Sequence, residues 1–108
     1  MATLAARRCS RRVSRLSRAD SSLYLRQLDG WRVRRGHLVR ALRFADFAAA
    51  MRFVNAMARI AEREDHHPDF AVHFDRVEIE LWTHSVGGLS ENDFILAAKL
   101  DRAARRAG

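Results

Sequence analysis

Three histidines in this 108-residue chain have the type and spacing that suit proton transfer near neutral pH. His66 and His67 are adjacent at the predicted end of a helix, and His84 lies at the predicted end of a later strand. An imidazole can hold or release a proton in this range, because a small change in its surroundings moves its pKa to either side of neutrality. The pattern indicates general acid/base chemistry if the fold brings the helix end and the strand end together.

Two carboxylates accompany the histidine pair in the sequence. Glu62 precedes His66 by one helical turn, and Asp65 is its immediate neighbour. Pro68 biases His67 away from helical geometry, so the helix is expected to end at the pair. We expect both carboxylates to orient imidazole rings in one shared pocket.

Two other interpretations of the histidine pair stay open at this point. A histidine pair at a helix end is often only a surface feature. Metal binding through three imidazoles and a carboxylate is the other interpretation. Adjacent side chains in an extended segment point to opposite sides, however, which makes joint ligation by His66 and His67 awkward. Cys9 is the only cysteine, which excludes an intrachain disulfide and a cysteine-based zinc site, and we expect no metal.

The remaining imidazole and aromatic side chains carry weaker signals. His37 and His73 have no carboxylate cluster nearby in sequence and are interpreted as ordinary strand histidines. Trp82, close to His84, is either a flat wall for a planar ligand or an aromatic side chain on an exposed sheet face. The sequence does not decide between these two roles of Trp82.

The histidines must be positioned by surrounding elements, and the strongest of these is a helix over about 47–64. Asp46 is a good N-cap for it. Apolar residues at spacings of three and four predict its buried face. These residues are Phe47, Met51, Val54, Ala58 and Ala61.

Alternation and turn residues predict four strands, over 31–34, 37–44, 70–74 and 77–84. The last of them has apolar residues and one threonine on one side: Val77, Ile79, Leu81 and Thr83. Glutamates and the Trp82 and His84 rings lie on its other side. Such a pattern is typical of an antiparallel strand with one buried face.

Two further helices flank these elements. Asp20, Ser21 and Ser22 are expected to cap a short helix that runs to Leu28, and Ser90 begins a final helix with Asp93 in its first turn. The order is helix-strand-strand-helix-strand-strand-helix. The predicted fold class is α+β, with helices packed on one face of a four-stranded antiparallel sheet.

The net charge of +7 is concentrated at the N-terminus. Residues 1–18 contain six arginines and no acid, so the other 14 of the 20 basic residues nearly balance the 13 acidic ones. This composition predicts a disordered arm over 1–19, dispensable for folding and turnover, or a targeting segment. A nucleic-acid role is the least favoured interpretation. The folded domain is expected over 20–108, and no predicted helix is apolar enough to span a membrane.

Three motifs together resemble one known family. They are EREDHHPDF at 62–70, VEIELWTH at 77–84 and GLSEND at 88–93. The combination of His-His-Pro, the spaced Thr-His and Gly-Leu-Ser-x-x-Asp is specific, although each alone would be weak. The chain resembles the pterin-4a-carbinolamine dehydratase family over about 20–101, and the fold that this family implies is the α+β arrangement above.

The resemblance implies a lyase that removes water from a 4a-hydroxytetrahydropterin and so recycles the pterin used by aromatic amino acid hydroxylases. It implies that His66 and His84 form the acid/base pair and that His67 positions the substrate. The expected substrate-binding residues, some of which orient the imidazoles, are Glu62, Asp65, Trp82, Thr83 and Asp93. No cofactor is expected, because the pterin is the substrate.

The resemblance also bears on partners and location. It implies a homodimer or homotetramer and a functional link to a pterin-dependent hydroxylase. The alternative is a non-catalytic protein-binding or assembly cofactor on the same fold, which would tolerate loss of the histidines that this chain keeps. The expected location is cytoplasmic, or organellar if the arm is a transit peptide.

Overall fold

The computed structural model describes residues 3–107 and shows an antiparallel sheet that is covered on one face by helices. The elements are α1 (Arg18–Leu25), β1 (Arg32–Arg34), β2 (His37–Arg43), α2 (Phe47–Glu64), β3 (Asp69–His73), β4 (Arg76–Leu81) and α3 (Glu91–Ala107), with short 3₁₀ turns at Leu4–Ala6 and His84–Val86. The predicted fold class and element order are confirmed. No helix within residues 3–107 combines the length and apolar character needed to cross a membrane.

The sheet has the order β1-β2-β4-β3, and every neighbouring pair is antiparallel. Leu38 of β2 lies opposite Leu81 of β4. Arg35 and Gly36 join β1 to β2 with φ angles of 54° and 77°, as a two-residue hairpin turn requires. This turn sets the register of the β1–β2 pair, which in turn determines which side chains meet on each face.

One face of the sheet packs against α2 and α3 to form the core. Among its most deeply buried side chains are Leu38, Val77, Leu81, Phe53, Met57, Phe94, Ile95, Leu96 and Leu100. The predicted inner side of β4 is confirmed, because Val77, Ile79, Leu81 and Thr83 are all buried. Within residues 3–107 no helix covers the opposite face of the sheet, which carries the exposed Glu78 and Glu80 of β4 and the stacked rings of His37 and Trp82.

The predicted bounds of α2 are confirmed, and its predicted buried face is confirmed in part, since Met51 packs against the core but Phe47 and Ala58 are exposed. Val54 and Ala61 are buried as expected, whereas Phe47 is 50% exposed. Phe53 and Met57 occupy the core instead. Many positions of α2 are alanine or another apolar residue, so more than one stripe fits helical spacing. The large side chains that contact the sheet decide which stripe is buried.

The helix caps agree with the sequence at α2 and differ at α1. Asp46 caps α2 by accepting a hydrogen bond from the N–H of Ala49 at 2.8 Å. The expected cap of α1 at Asp20 is wrong, because the hydroxyl oxygen of Ser17 accepts a hydrogen bond from the N–H of Asp20 at 3.0 Å. Helix α1 therefore begins at Arg18 and ends at Leu25, three residues earlier than expected.

The N-terminal segment 3–17 packs on the domain, which corrects the prediction of a disordered arm for these residues. Leu4 is only 5% exposed and belongs to the core. The N–H of Cys9 donates to a carboxylate oxygen of Glu64 at 2.9 Å. Ser10 and Asn92 exchange two hydrogen bonds, at 2.9 and 2.7 Å, between backbone and side-chain amide. Met1 and Ala2 lie outside the described residues.

The physical reason for this packing lies in the domain rather than in the arm. Glu64 and Asn92 are 8% and 5% exposed, and buried polar groups need hydrogen-bond partners. The backbone of residues 9–10 supplies those partners without any apolar pattern in the arm's own sequence. Composition alone therefore could not indicate that the arm is ordered.

Removal of residues 1–13 is expected to lower the free energy of unfolding by about 2–4 kcal/mol, because Leu4 loses its buried contacts and two buried polar groups lose their partners. Urea denaturation followed by circular dichroism measures the change. Arg12→Ala is the matched control, since the Arg12 side chain is exposed, and it is expected to change stability by less than about 0.5 kcal/mol. Equal stability of the truncated and full chains would contradict the arm's structural role.

Candidate active site

The end of α2 places His66 against the core. Asp65 adopts the left-handed conformation with φ 53° and ψ 40°, and its N–H donates to carbonyls of the last helical turn. The N–H of His66 donates to the carbonyl of Ala61 at 3.1 Å, which completes the helix end. The chain thus reverses immediately before His66, and the His66 side chain is only 11% exposed.

His66 is held by a carboxylate from α3. Its Nε2 lies 2.7 Å from Oδ1 of Asp93, a side chain with no exposed surface. The sequence expectation paired the imidazoles chiefly with Glu62 and Asp65, and the structure gives His66 a different carboxylate. Asp93 was among the predicted site residues, but no local spacing connects it to the histidine pair.

Asp93 accepts hydrogen bonds from three directions. Oδ2 accepts from the Thr83 hydroxyl at 2.8 Å and from the N–H of Ser90 at 3.0 Å, while Oδ1 faces His66. The hydroxyls of Thr83 and Ser90 are themselves 2.7 Å apart. The bond from the N–H of Ser90 to Asp93 is the capping interaction expected at the start of α3. The site therefore joins three parts of the chain: the end of α2, Thr83 just after β4, and the first turn of α3.

The Asp93 contact assigns different roles to the two ring nitrogens of His66. A carboxylate accepts hydrogen bonds, so the proton of the neutral ring lies on Nε2. Nδ1 is then the nitrogen that can exchange a proton with a bound ligand.

The other residues of the histidine motif lie at the surface. His67 contacts the carboxylate of Glu62, and both side chains are more than half exposed. Asp65 does not face a histidine: its carboxylate forms an ion pair with Arg11 of the arm at 2.9 Å. The structure thus separates Asp65 from the imidazoles that it was expected to orient.

The third histidine of the predicted set, His84, lies in a ring stack. It follows Thr83 in the 3₁₀ turn, and its ring centroid is 3.7 Å from that of Trp82. His37 stacks on Trp82 as well, with a centroid distance of 4.5 Å. Local sequence does not indicate a role for His37, because its partners Glu80 and Trp82 lie in β4 and just after it, and only the strand register brings them together. His73 contacts Glu78 and is not part of the stack.

A cleft opens beside His66. The arm lines one side with Ser10 and Arg11, and His66, Thr83 and Ser85 line another. Neither His67 nor His84 lines this cleft. The predicted pocket that all three histidines share is therefore divided into a His66 group and a Trp82–His84 group, linked through the adjacent residues Thr83 and His84.

Cys9, which lines this cleft, has an unreactive thiol near neutral pH. Burial raises the pKa of the Cys9 thiol to about 12, and the nearby Glu64 carboxylate adds to the increase. The thiol therefore stays protonated near neutral pH and is a poor nucleophile.

Across residues 3–107, no group of three or more His, Cys, Asp or Glu side chains is arranged to hold a metal ion.

The fold and these contacts define a class: a small α+β domain in which the first turn of the last helix supplies a buried carboxylate to a histidine at the end of the long helix. A family model described as pterin 4 alpha carbinolamine dehydratase matches residues 14–103. The chain belongs to this family, and the resemblance inferred from the motifs is confirmed.

Relatives from bacteria support the same assignment. A protein of Stenotrophomonas maltophilia (strain K279a), named "Putative pterin-4-alpha-carbinolamine dehydratase", is 54% identical over 87 residues, which are 79% of this chain and 75% of that protein. A protein of the same name from Xanthomonas oryzae pv. oryzae (strain MAFF 311018) is 52% identical over 90 residues, 82% of this chain and 76% of that protein.

A solved structure agrees with the fold. The crystal structure titled as a transcriptional coactivator/pterin dehydratase from Brucella melitensis superposes with a TM-score of 0.82 and 35% sequence identity. The match covers 84% of this chain and 99% of the Brucella chain.

Thr83→Val is expected to destabilise the protein by about 1–3 kcal/mol, because it removes a buried donor to Asp93 while keeping the side-chain shape. Thr83→Ser keeps the hydroxyl and is the matched control, with a smaller loss. Chemical denaturation of both variants measures the difference. If Val and Ser at position 83 gave the same stability, the hydroxyl would contribute nothing to holding Asp93.

Proposed function

We propose that this protein is a lyase that eliminates water from a 4a-hydroxytetrahydropterin and releases the quinonoid dihydropterin. Family membership supports the substrate class. The observation that carries the proposal is the His66–Asp93 pair, in which a mostly buried imidazole is oriented by a fully buried carboxylate at 2.7 Å. Such a pair is suited to proton transfer at a cleft that a substrate can enter.

The reaction needs two proton movements. The bond between C4a and the hydroxyl oxygen breaks, and a proton must reach that oxygen so that it departs as water. A ring N–H must also lose its proton, so that its electron pair forms the new C=N bond. A general acid and a general base on the protein supply and accept these protons, and no oxidant or reductant is consumed.

His66 is suited to one of these roles. Asp93 fixes its ring through Nε2, which leaves Nδ1 to exchange the proton with the pterin. Thr83 and Ser90 in turn hold Asp93, so the imidazole is oriented before the substrate arrives. We therefore assign Asp93 and Thr83 as positioning residues that act through His66.

His84 is suited to the second role. Its exposed ring stacks on Trp82, and His84 follows Thr83, the donor to Asp93, in the chain. His67, exposed and in contact with Glu62, is assigned to substrate positioning at the rim. The hydroxyl and the ring N–H of the carbinolamine would thus meet two imidazoles in different surroundings.

Trp82 is not free to serve as a wall for the pterin. Two nearly parallel rings at 3.7 and 4.5 Å cannot share one face of an indole without overlapping, so His84 and His37 cover opposite faces. A planar ligand can stack instead on the outer face of His84. Trp82 then supports the site and is not a direct contact of the substrate.

His66→Ala and His84→Ala are each expected to lower kcat by about ten- to a thousandfold, since a positioned general acid or base contributes about 10²–10⁴ in rate and one imidazole can partly replace the other. The double variant should lose more than either single variant. His67→Ala should chiefly raise KM. The assay follows dehydration of purified 4a-hydroxytetrahydropterin.

His73→Ala is the control for these histidine variants, because His73 contacts Glu78 on the open sheet face, away from His66. All variants need an unchanged thermal transition before their kinetics are compared. Near-normal turnover of the His66/His84 double variant would refute histidine catalysis. A protein-binding or assembly role would then be favoured, in keeping with the coactivator part of the Brucella title.

Treatment with a strong chelator followed by desalting is expected to leave kcat and KM unchanged, because the proposed mechanism transfers protons between imidazoles and substrate. Metal analysis of the protein before and after treatment accompanies the assay. Loss of turnover that returns only when zinc or iron is added back would contradict the acid/base mechanism.

A further inference from the structure

The open face of the sheet carries a column of three rings, made by His37, Trp82 and His84. The His37 and Trp82 rings are inclined by 12°, and the Trp82 and His84 rings by 24°. Because the indole lies between the two imidazoles, movement of His37 frees one face of Trp82 and allows that ring to tilt. The orientation of Trp82 in turn limits the orientation of His84.

The column is anchored at its strand end. His37 contacts the carboxylate of Glu80, and the indole N–H of Trp82 donates to a carboxylate oxygen of Asp69 at 3.3 Å. The His37 side chain is 25% exposed, so three quarters of its surface is covered by neighbouring groups. His84 lies beyond the strand in a short 3₁₀ turn, and Trp82 is its aromatic contact.

Strand register explains why these rings meet. Leu38 lies opposite Leu81, and therefore His37 comes opposite Trp82 on the open face. Side chains two positions apart in an extended chain share a face, which places His84 beside Trp82.

We propose that His37 is a positioning residue for the dehydration: it holds Trp82, and through Trp82 it holds the His84 ring in its productive orientation. This inference rests on the proposed function. His37 does not touch the cleft beside His66 and takes no part in proton transfer itself. Its contribution is to reduce the number of orientations that an exposed imidazole would otherwise adopt.

The size of the effect follows from ring stacking. The stacking free energy of an aromatic pair is large enough to raise the population of the stacked orientation about two- to tenfold over the unstacked one. His37→Ala is therefore expected to lower kcat about two- to tenfold and to leave KM nearly unchanged. His37→Phe keeps a planar ring on Trp82 and should restore most of the rate, whereas Glu80→Gln should give a smaller loss.

A double-variant comparison distinguishes action through His84 from general damage. In a His84→Ala background, His37→Ala should have no further effect on kcat, because there is no His84 ring left to orient. His73→Ala is the matched control, a histidine of the same face paired with Glu78 at 3.0 Å. It should leave kcat unchanged in both backgrounds.

An NMR measurement tests the same inference without turnover. The ring protons of His84, assigned by comparison with His84→Ala, should be displaced upfield by the ring current of Trp82. In His37→Ala they should move toward the positions of an unstacked imidazole, and His37→Phe should keep them near the wild-type positions.

The outcomes separate the two proposals. An equal loss of kcat from His37→Ala with and without His84, or unchanged His84 resonances in His37→Ala, would overturn the positioning role. A wild-type protein with no dehydratase turnover would overturn the proposed function. The NMR comparison would still show whether His37 orients His84.

Discussion

A carboxylate without any exposed surface, Asp93, is the constraint on which the site depends. Transfer of an ionised carboxylate from water into a protein costs several kcal/mol unless hydrogen bonds replace its hydration. Asp93 obtains them from His66, Thr83 and Ser90, which belong to different parts of the chain. The end of α2, the segment after β4 and the start of α3 are therefore held together by one group, and the histidine is oriented as a consequence.

The same physical requirement explains the ordered N-terminal segment. Glu64 and Asn92 are buried at the ends of two helices, where their polar atoms need partners, and the backbone of Cys9 and Ser10 provides them. The arm thereby forms one side of the cleft beside His66. Its arginines also reach the domain, as the Arg11 ion pair with Asp65 shows. The arm differs from the rest of the chain in composition, but it packs as part of the same domain.

The two imidazoles assigned to proton transfer lie in unlike surroundings. His66 is mostly buried and faces a carboxylate, whereas His84 is exposed and rests on an indole. Identical side chains in different environments can take different roles in one reaction, since charge and solvent access set which form of the ring is favoured. The fold creates this difference by placing one histidine on the helical side of the sheet and the other beside its open face.

The sequence by itself determined the fold class, the bounds and N-cap of α2, the buried side of β4 and the residue types of the site, because these depend on local periodicity, capping and motif. Only the tertiary structure determines which stripe of α2 is buried and which carboxylate contacts His66. It also determines that the arm packs on the domain and that His37 stacks on Trp82. Each of these depends on contacts between residues far apart in the chain. Such contacts follow from strand register and from the need to pair buried polar groups, and neither leaves a periodic signal in the sequence.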